Sequence, residues 1–136
     1  IVGGLGDGAI AALCAAVIHG GCARTILVDP PLGFTEIVRA GDHAWRRSSF
    51  IPRILEHFDL VDLFPHTGGD VRVVRPLDAA RIPASDAAAV EVYGEGAAPG
   101  GADAVPRVSV VAGALDLAER DDAFVEAVLA PWNRTT

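Results

Sequence analysis

The chain has 136 residues, of which 51% are hydrophobic, and it carries a formal net charge of −7 without a single lysine. This composition excludes a disordered tail, and arginines spread along the chain exclude the basic stripe of a nucleic-acid surface. No apolar run reaches the roughly 18 residues that a membrane helix requires. We therefore expect neither nucleic acid nor a membrane as a partner.

Short apolar strands alternate with helical segments along the whole chain. The predicted elements, in order, are a strand at IVGG, a helix over Asp7–His19, a strand at RTILVD, a helical piece over residues 35–40, one or two short helices in FIPRILEHFDLVDLF, a strand at DVRVVRPLD, a helix from Ser85 to Tyr93, a strand at RVSVVAG and a last helix over residues 120–132. Alternation of this kind is typical of parallel sheets. We predict an α/β protein, a three-layer α-β-α sandwich with a mostly parallel sheet and helices on both faces.

The glycine-rich turn after the first strand permits a dinucleotide-binding interpretation. Gly4, Gly6 and Ala9 form a Gly-x-Gly-x-x-Ala pattern between a strand and a helix. Such a turn lets a pyrophosphate approach the free N–H groups of the helix. Asp29, at the end of the second predicted strand, would then accept hydrogen bonds from the ribose hydroxyls. This interpretation predicts a Rossmann-type domain that binds NAD or FAD.

The same turn also fits a nucleophile elbow, in which small residues flank a nucleophile on both sides. Gly4 and Gly8 occupy the two small positions, which the close approach of strand and helix requires. The nucleophile position between them is then Gly6, which has no side chain. A serine, cysteine or aspartate would be expected there.

The stretch SSFIPRILEHFDLVDLFPHTGGDVRVVRPLDAARIP resembles the late part of α/β-hydrolases of the acetylxylan esterase and glucuronoyl esterase type. The matching positions before the third strand are Pro52, Phe58, Asp59, Leu60, Asp62 and Leu63. GDGAIAALCAA is similar to the elbow and following helix of those enzymes. The resemblance covers most of residues 1–82 and, more loosely, the last strand and helix. It implies a partial α/β-hydrolase fold, with Asp78 at the position of the triad acid.

Two groups that the resemblance implies are missing. Gly6 supplies no nucleophile, and the base should be a histidine after the last strand, whereas none of the four histidines follows His66. Asp7 is a weaker candidate for a displaced nucleophile, because Leu5 is large for a flanking position; as the first helical residue it would simply stabilise the helix N-terminus. We therefore expect a degenerate, esterase-like domain without catalytic activity of its own.

The chain lacks methionine and opens inside a predicted strand. We therefore interpret residues 1–136 as a single domain, the C-terminal half of an α/β-hydrolase-like unit cut from a longer chain, with the missing N-terminal part as a partner. A small-molecule ester or a carbohydrate is compatible with it as a ligand. No cofactor or metal is expected. The competing functions are the Rossmann-type domain and a working hydrolase that borrows its missing groups from another segment.

Overall fold

The structure is a computed structural model that describes residues 1–94 and 108–111. Its elements are β1 (Val2–Leu5), α1 (Asp7–His19), β2 (Arg24–Val28), α2 (Phe34–Ala40), three 3-10 helices (Arg47–Ser49, Ile54–Glu56 and Leu60–His66), β3 (Asp70–Val74), α3 (Asp86–Tyr93) and β4 (Val108–Val111). Among the described residues no helix combines the length and apolarity needed to cross a bilayer.

The four strands form one parallel sheet in the order β1-β2-β3-β4. Leu5 pairs with Val28, and Val28 pairs with Val74, so the carboxyl ends of the first three strands meet at one edge. The predicted α/β class is confirmed, with a parallel sheet and helices consistent with a partial α-β-α sandwich. In open parallel sheets this edge is where ligands bind.

One hydrophobic core joins the sheet to the helices that follow its strands. From the sheet it takes Leu27, Val71 and Val73, of which Val71 and Val73 are fully buried. The helical residues in this core include Ala9, Ile10, Ala12, Leu13, Phe34, Ile37, Leu60 and Phe64. The alanines of α1 let the helix lie close to β1 and β2, which fixes the turn at Gly6 relative to the sheet edge.

The segment between α2 and β3 forms short helices, as predicted, and they are of the 3-10 type. Pro52 lies two residues before the helix Ile54–Glu56. Pro65 lies within Leu60–His66 and has no N–H to donate to a helical hydrogen bond. The Gly/Pro stretch after Gly94 and the predicted last helix lie outside the described residues.

Candidate functional site

Gly6 joins β1 to α1 through a backbone conformation that side chains avoid. Its φ is 58° and its ψ is −124°. The Gly6 N–H donates to the Val28 carbonyl at 2.8 Å, and the Gly6 carbonyl accepts from the Ala9 N–H at 2.9 Å. Glycine adopts a positive φ without steric cost, whereas other residues are strained there. Gly6 thus has the positive φ that the strained turn of a nucleophile elbow requires.

The close approach of strand and helix restricts Gly4 and leaves Gly8 free. A Cβ on Gly4 would collide with the Gly8 carbonyl, so glycine is required at position 4. A Cβ on Gly8 would meet no atom within 4 Å. The prediction that both positions must be small is therefore wrong for Gly8, because only its backbone faces β1.

An arginine from the loop after β3 lies over the Gly6 turn. The Nη2 atom of Arg81 is 4.0 Å from the point that a Cβ on Gly6 would occupy. The Arg81 guanidinium stacks over the Trp45 ring at 4.7 Å from its centroid. Trp45 is buried and donates its indole N–H to the Asp78 carbonyl at 2.8 Å. The Trp45 indole therefore anchors the Asp78 loop. It also holds the Arg81 guanidinium beside the position that a side chain on Gly6 would occupy.

Asp78 shapes this loop with its own carboxylate. Its Oδ1 accepts from the Ile82 N–H at 2.9 Å, and its carbonyl accepts from the Arg81 N–H at 3.0 Å. Asp78 thus closes a tight turn that carries Arg81 toward Gly6, a common use of aspartate. The loop lies at the same sheet edge as the Gly6 turn.

Asp7, the alternative nucleophile, is the first residue of α1. Its Oδ1 accepts a hydrogen bond of 2.7 Å from the hydroxyl of Ser49, which is buried. A carboxylate at this position interacts favourably with the partial positive charge of the helix N-terminus. The contact also ties the 3-10 turn Arg47–Ser49 to α1.

The dinucleotide interpretation requires Asp29, whose carboxylate contacts Arg75. Two hydrogen bonds join them, from Nε to Oδ1 at 2.6 Å and from Nη2 to Oδ2 at 2.7 Å. Both residues have positive φ, and Asp29 is buried. A ribose would have to compete with this bidentate ion pair for both carboxylate oxygens.

Asp59 has a role that sequence reasoning missed, since the sequence identified it only as one of the positions that match the esterase resemblance. The half-buried Asp59 carboxylate accepts from the N–H groups of Phe34, Thr35 and Leu60 at 2.7–2.9 Å. It therefore caps α2 across 25 residues of sequence as well as its own 3-10 helix. The one local signal was Gly33, an N-cap residue that has no side chain to cap α2.

The pKa of Asp59 reflects two opposing influences. Burial raises it, but hydrogen bonds from Thr35, Leu60 and Phe34 together lower the pKa below its ordinary value. The capping carboxylate is therefore held in its charged form.

Neither a metal site nor similarity to known proteins adds a functional assignment. Within residues 1–94 and 108–111 no group of three or more His, Cys, Asp or Glu side chains could hold a metal ion. No family model matches the chain, and neither a curated protein nor a solved structure is significantly similar to it.

Proposed function

We propose that the chain is a degenerate α/β-hydrolase-like domain of an esterase-like protein, with a structural or binding role and no hydrolytic activity of its own. The observation that carries this proposal is the backbone of Gly6, at φ 58° and ψ −124° between β1 and α1. This strand-turn-helix geometry is what a nucleophile elbow needs, and the residue at its apex has no side chain.

The chemistry of acyl transfer explains why activity would be absent. The reaction needs an oxygen or sulfur nucleophile and a base that takes up its proton. Gly6 offers only hydrogen, and no histidine occurs after His66 to act as the base beyond Asp78. Asp78 already accepts a hydrogen bond that closes its own turn. The Arg81 guanidinium lies beside the position where a side chain on Gly6 would be, and its N–H groups suit recognition of an ester or carbohydrate oxygen.

Hydrolysis of 4-nitrophenyl acetate tests the proposal. We expect the unmodified chain and its Gly6→Ser variant to release nitrophenolate no faster than a buffer blank, because neither has a histidine after Asp78 to act as the base. Asp7→Asn and Asp78→Asn serve as matched isosteric controls. Turnover by the unmodified chain that survives Asp7→Asn and is lost on Asp78→Asn would reveal a working triad and contradict the proposal.

A further inference from the structure

Three exposed arginines lie on the two loops that meet beside the Gly6 turn. Arg81 lies over the turn itself, and Arg46 and Arg47 directly follow Trp45, on which Arg81 stacks. Within the described part of the chain, the side chains of these three arginines form no ion pair and no hydrogen bond. They are called the loop arginines below.

The carboxylates of the same region already have partners inside the protein. Asp7 accepts from the Ser49 hydroxyl, Asp78 accepts from the Ile82 N–H, and Asp29 is held in a bidentate ion pair. The whole chain has a formal net charge of −7, so arginines without a carboxylate partner run against its general charge. This local positive charge suits a negatively charged ligand.

Arg81 is positioned before any ligand binds. Its guanidinium lies 4.7 Å from the centroid of the buried Trp45 ring, and its backbone N–H donates to the Asp78 carbonyl. The φ of Arg81 is 64°, a conformation that favours glycine. Strained residues of this kind cluster at ligand sites. Because the side chain is already stacked, it loses little conformational freedom when a ligand binds.

Stacking on Trp45 leaves the N–H groups of Arg81 available. A stacked guanidinium uses its flat face, whereas its N–H groups point outward in the plane of the group. Nη2 lies 4.0 Å from the point that a Cβ on Gly6 would occupy, and apart from the neighbouring residues of the chain no other described atom lies as close. A ligand oxygen can therefore approach over Gly6 and accept a hydrogen bond from Arg81.

We propose that Arg81 binds the carboxylate of a small organic acid over the Gly6 turn, with Arg46 and Arg47 adding positive charge. A carboxylate offers two coplanar oxygens that match two parallel N–H groups of a guanidinium, whereas an ester carries no charge. The inference rests on the proposed function, because a carboxylic acid is the part of an ester that an esterase releases. A domain without a nucleophile would recognise this acid without forming it.

Amide NMR spectra of the intact, isotope-labelled chain test the assignment with sodium acetate as the probe, at neutral pH and constant ionic strength. We expect saturable shifts of the Gly6 and Asp7 N–H signals with acetate, none with the neutral acetamide, and weaker binding of inorganic phosphate. Arg81→Gln should weaken acetate binding by about tenfold or more. Arg39→Gln removes the same charge from α2 and should leave acetate binding unchanged.

Three results would overturn the proposal. They are the absence of saturable shifts with acetate, phosphate binding as tight as acetate binding, and equal effects of Arg81→Gln and Arg39→Gln.

Gly6→Ala tests the position of the ligand with every charge kept in place. Its Cβ enters the space in front of the Arg81 Nη2, so acetate binding should weaken. Gly8→Ala meets open space and should bind acetate as the unmodified chain does. Unweakened acetate binding by a folded Gly6→Ala variant would contradict a site over Gly6. If the spectrum shows that Gly6→Ala is unfolded, the two arginine variants decide.

These readouts separate the inference from the proposed function. Ester hydrolysis by the unmodified chain would contradict the proposed function and leave the acetate shifts in place. Absence of acetate binding would contradict the carboxylate site and leave a catalytically silent domain standing.

Discussion

Asp29 and Arg75 occupy equivalent positions, each directly after a strand, and a bidentate ion pair joins them across the edge of the sheet. Their φ values are 53° and 51°, so both residues adopt the left-handed backbone conformation that normally favours glycine. Such backbone states cost of order 1–3 kcal/mol each. The ion pair links the starts of the two loops that leave β2 and β3.

Breaking this ion pair should destabilise the fold. The two side chains are only 18% and 12% exposed, so removing one charge leaves the other largely buried. We expect Asp29→Asn to lower the free energy of unfolding by about 3 kcal/mol. Arg53→Gln, which breaks the exposed pair with Glu56, should leave the denaturant midpoint unchanged. Equal midpoint shifts in the two variants would contradict this role of Asp29.

The same contact predicts that the chain does not bind NAD or FAD. The Asp29 carboxylate holds the Arg75 guanidinium, and the glycine spacing is explained by the collision that any larger residue at Gly4 would cause. Titration calorimetry with each dinucleotide should therefore give no heat beyond dilution. Micromolar affinity that disappears in the Asp29→Asn variant would favour the Rossmann-type interpretation instead.

Removing the Asp59 carboxylate should destabilise the N-terminus of α2. Asp59→Ala leaves the N–H groups of Phe34 and Thr35 without their acceptor, which should cost about 1–3 kcal/mol. Asp42→Ala, in an exposed loop, is the matched control. A loss no larger in Asp59→Ala than in Asp42→Ala would show that the cap contributes nothing.

The pH dependence of stability follows from the lowered pKa of Asp59. The Asp59 carboxylate binds a proton less readily in the folded protein than in the unfolded chain, where the pKa of an aspartate is about 3.9. The stabilisation from Asp59 is therefore complete above that pH and is lost as pH falls through the folded pKa. Denaturant melts between about pH 5 and 2 should show a shallower loss of stability in Asp59→Asn than in the unmodified chain.

Tyr93 gives a complementary test in alkali, since it is the only tyrosine in the chain. Its ring stacks on Phe64, and burial, with a smaller contribution from the Asp59 charge, raises the pKa of its phenol well above the ordinary range. The unfolded chain loses this proton near pH 10, so stability falls as pH rises above that value. Phenolate absorbance should be missing from the folded protein at pH 10.5 and should emerge on adding denaturant. Phenolate in the folded protein at pH 10.5 would contradict the raised pKa of Tyr93.

The elements set by local sequence were predicted well. Helix α1 runs over Asp7–His19 as expected, because its alanine-rich periodicity and the left-handed Gly20 that ends it are local features. Contacts that span long stretches of sequence were not predicted. Asp59 caps α2 from 25 residues away, and Asp29 meets Arg75 from 46 residues away. Neither spacing corresponds to a helical or strand repeat, so only the packed sheet brings these groups together.

The candidate site shows the same division. The positive φ of Gly6 could be expected from the strand-glycine-helix pattern alone. The arginine over this turn could not, because Arg81 reaches it through a turn made by Asp78 and a ring supplied by Trp45. These three groups come from two loops that lie more than 30 residues apart in the sequence.

A thiol at position 6 tests most directly whether Gly6 stands where a nucleophile belongs. In a background of Cys14→Ala and Cys22→Ala, the Gly6→Cys thiol lies at the N-terminus of α1 near Arg81, which favours the reactive thiolate. It should take the acetyl group of 4-nitrophenyl acetate onto sulfur and release one nitrophenolate per chain, without turnover. Gly8→Cys, whose side chain meets open space, is the control. The account predicts a burst roughly tenfold faster or more at position 6 than at position 8; equal rates, or no burst from a position 6 thiol that still titrates, would contradict it.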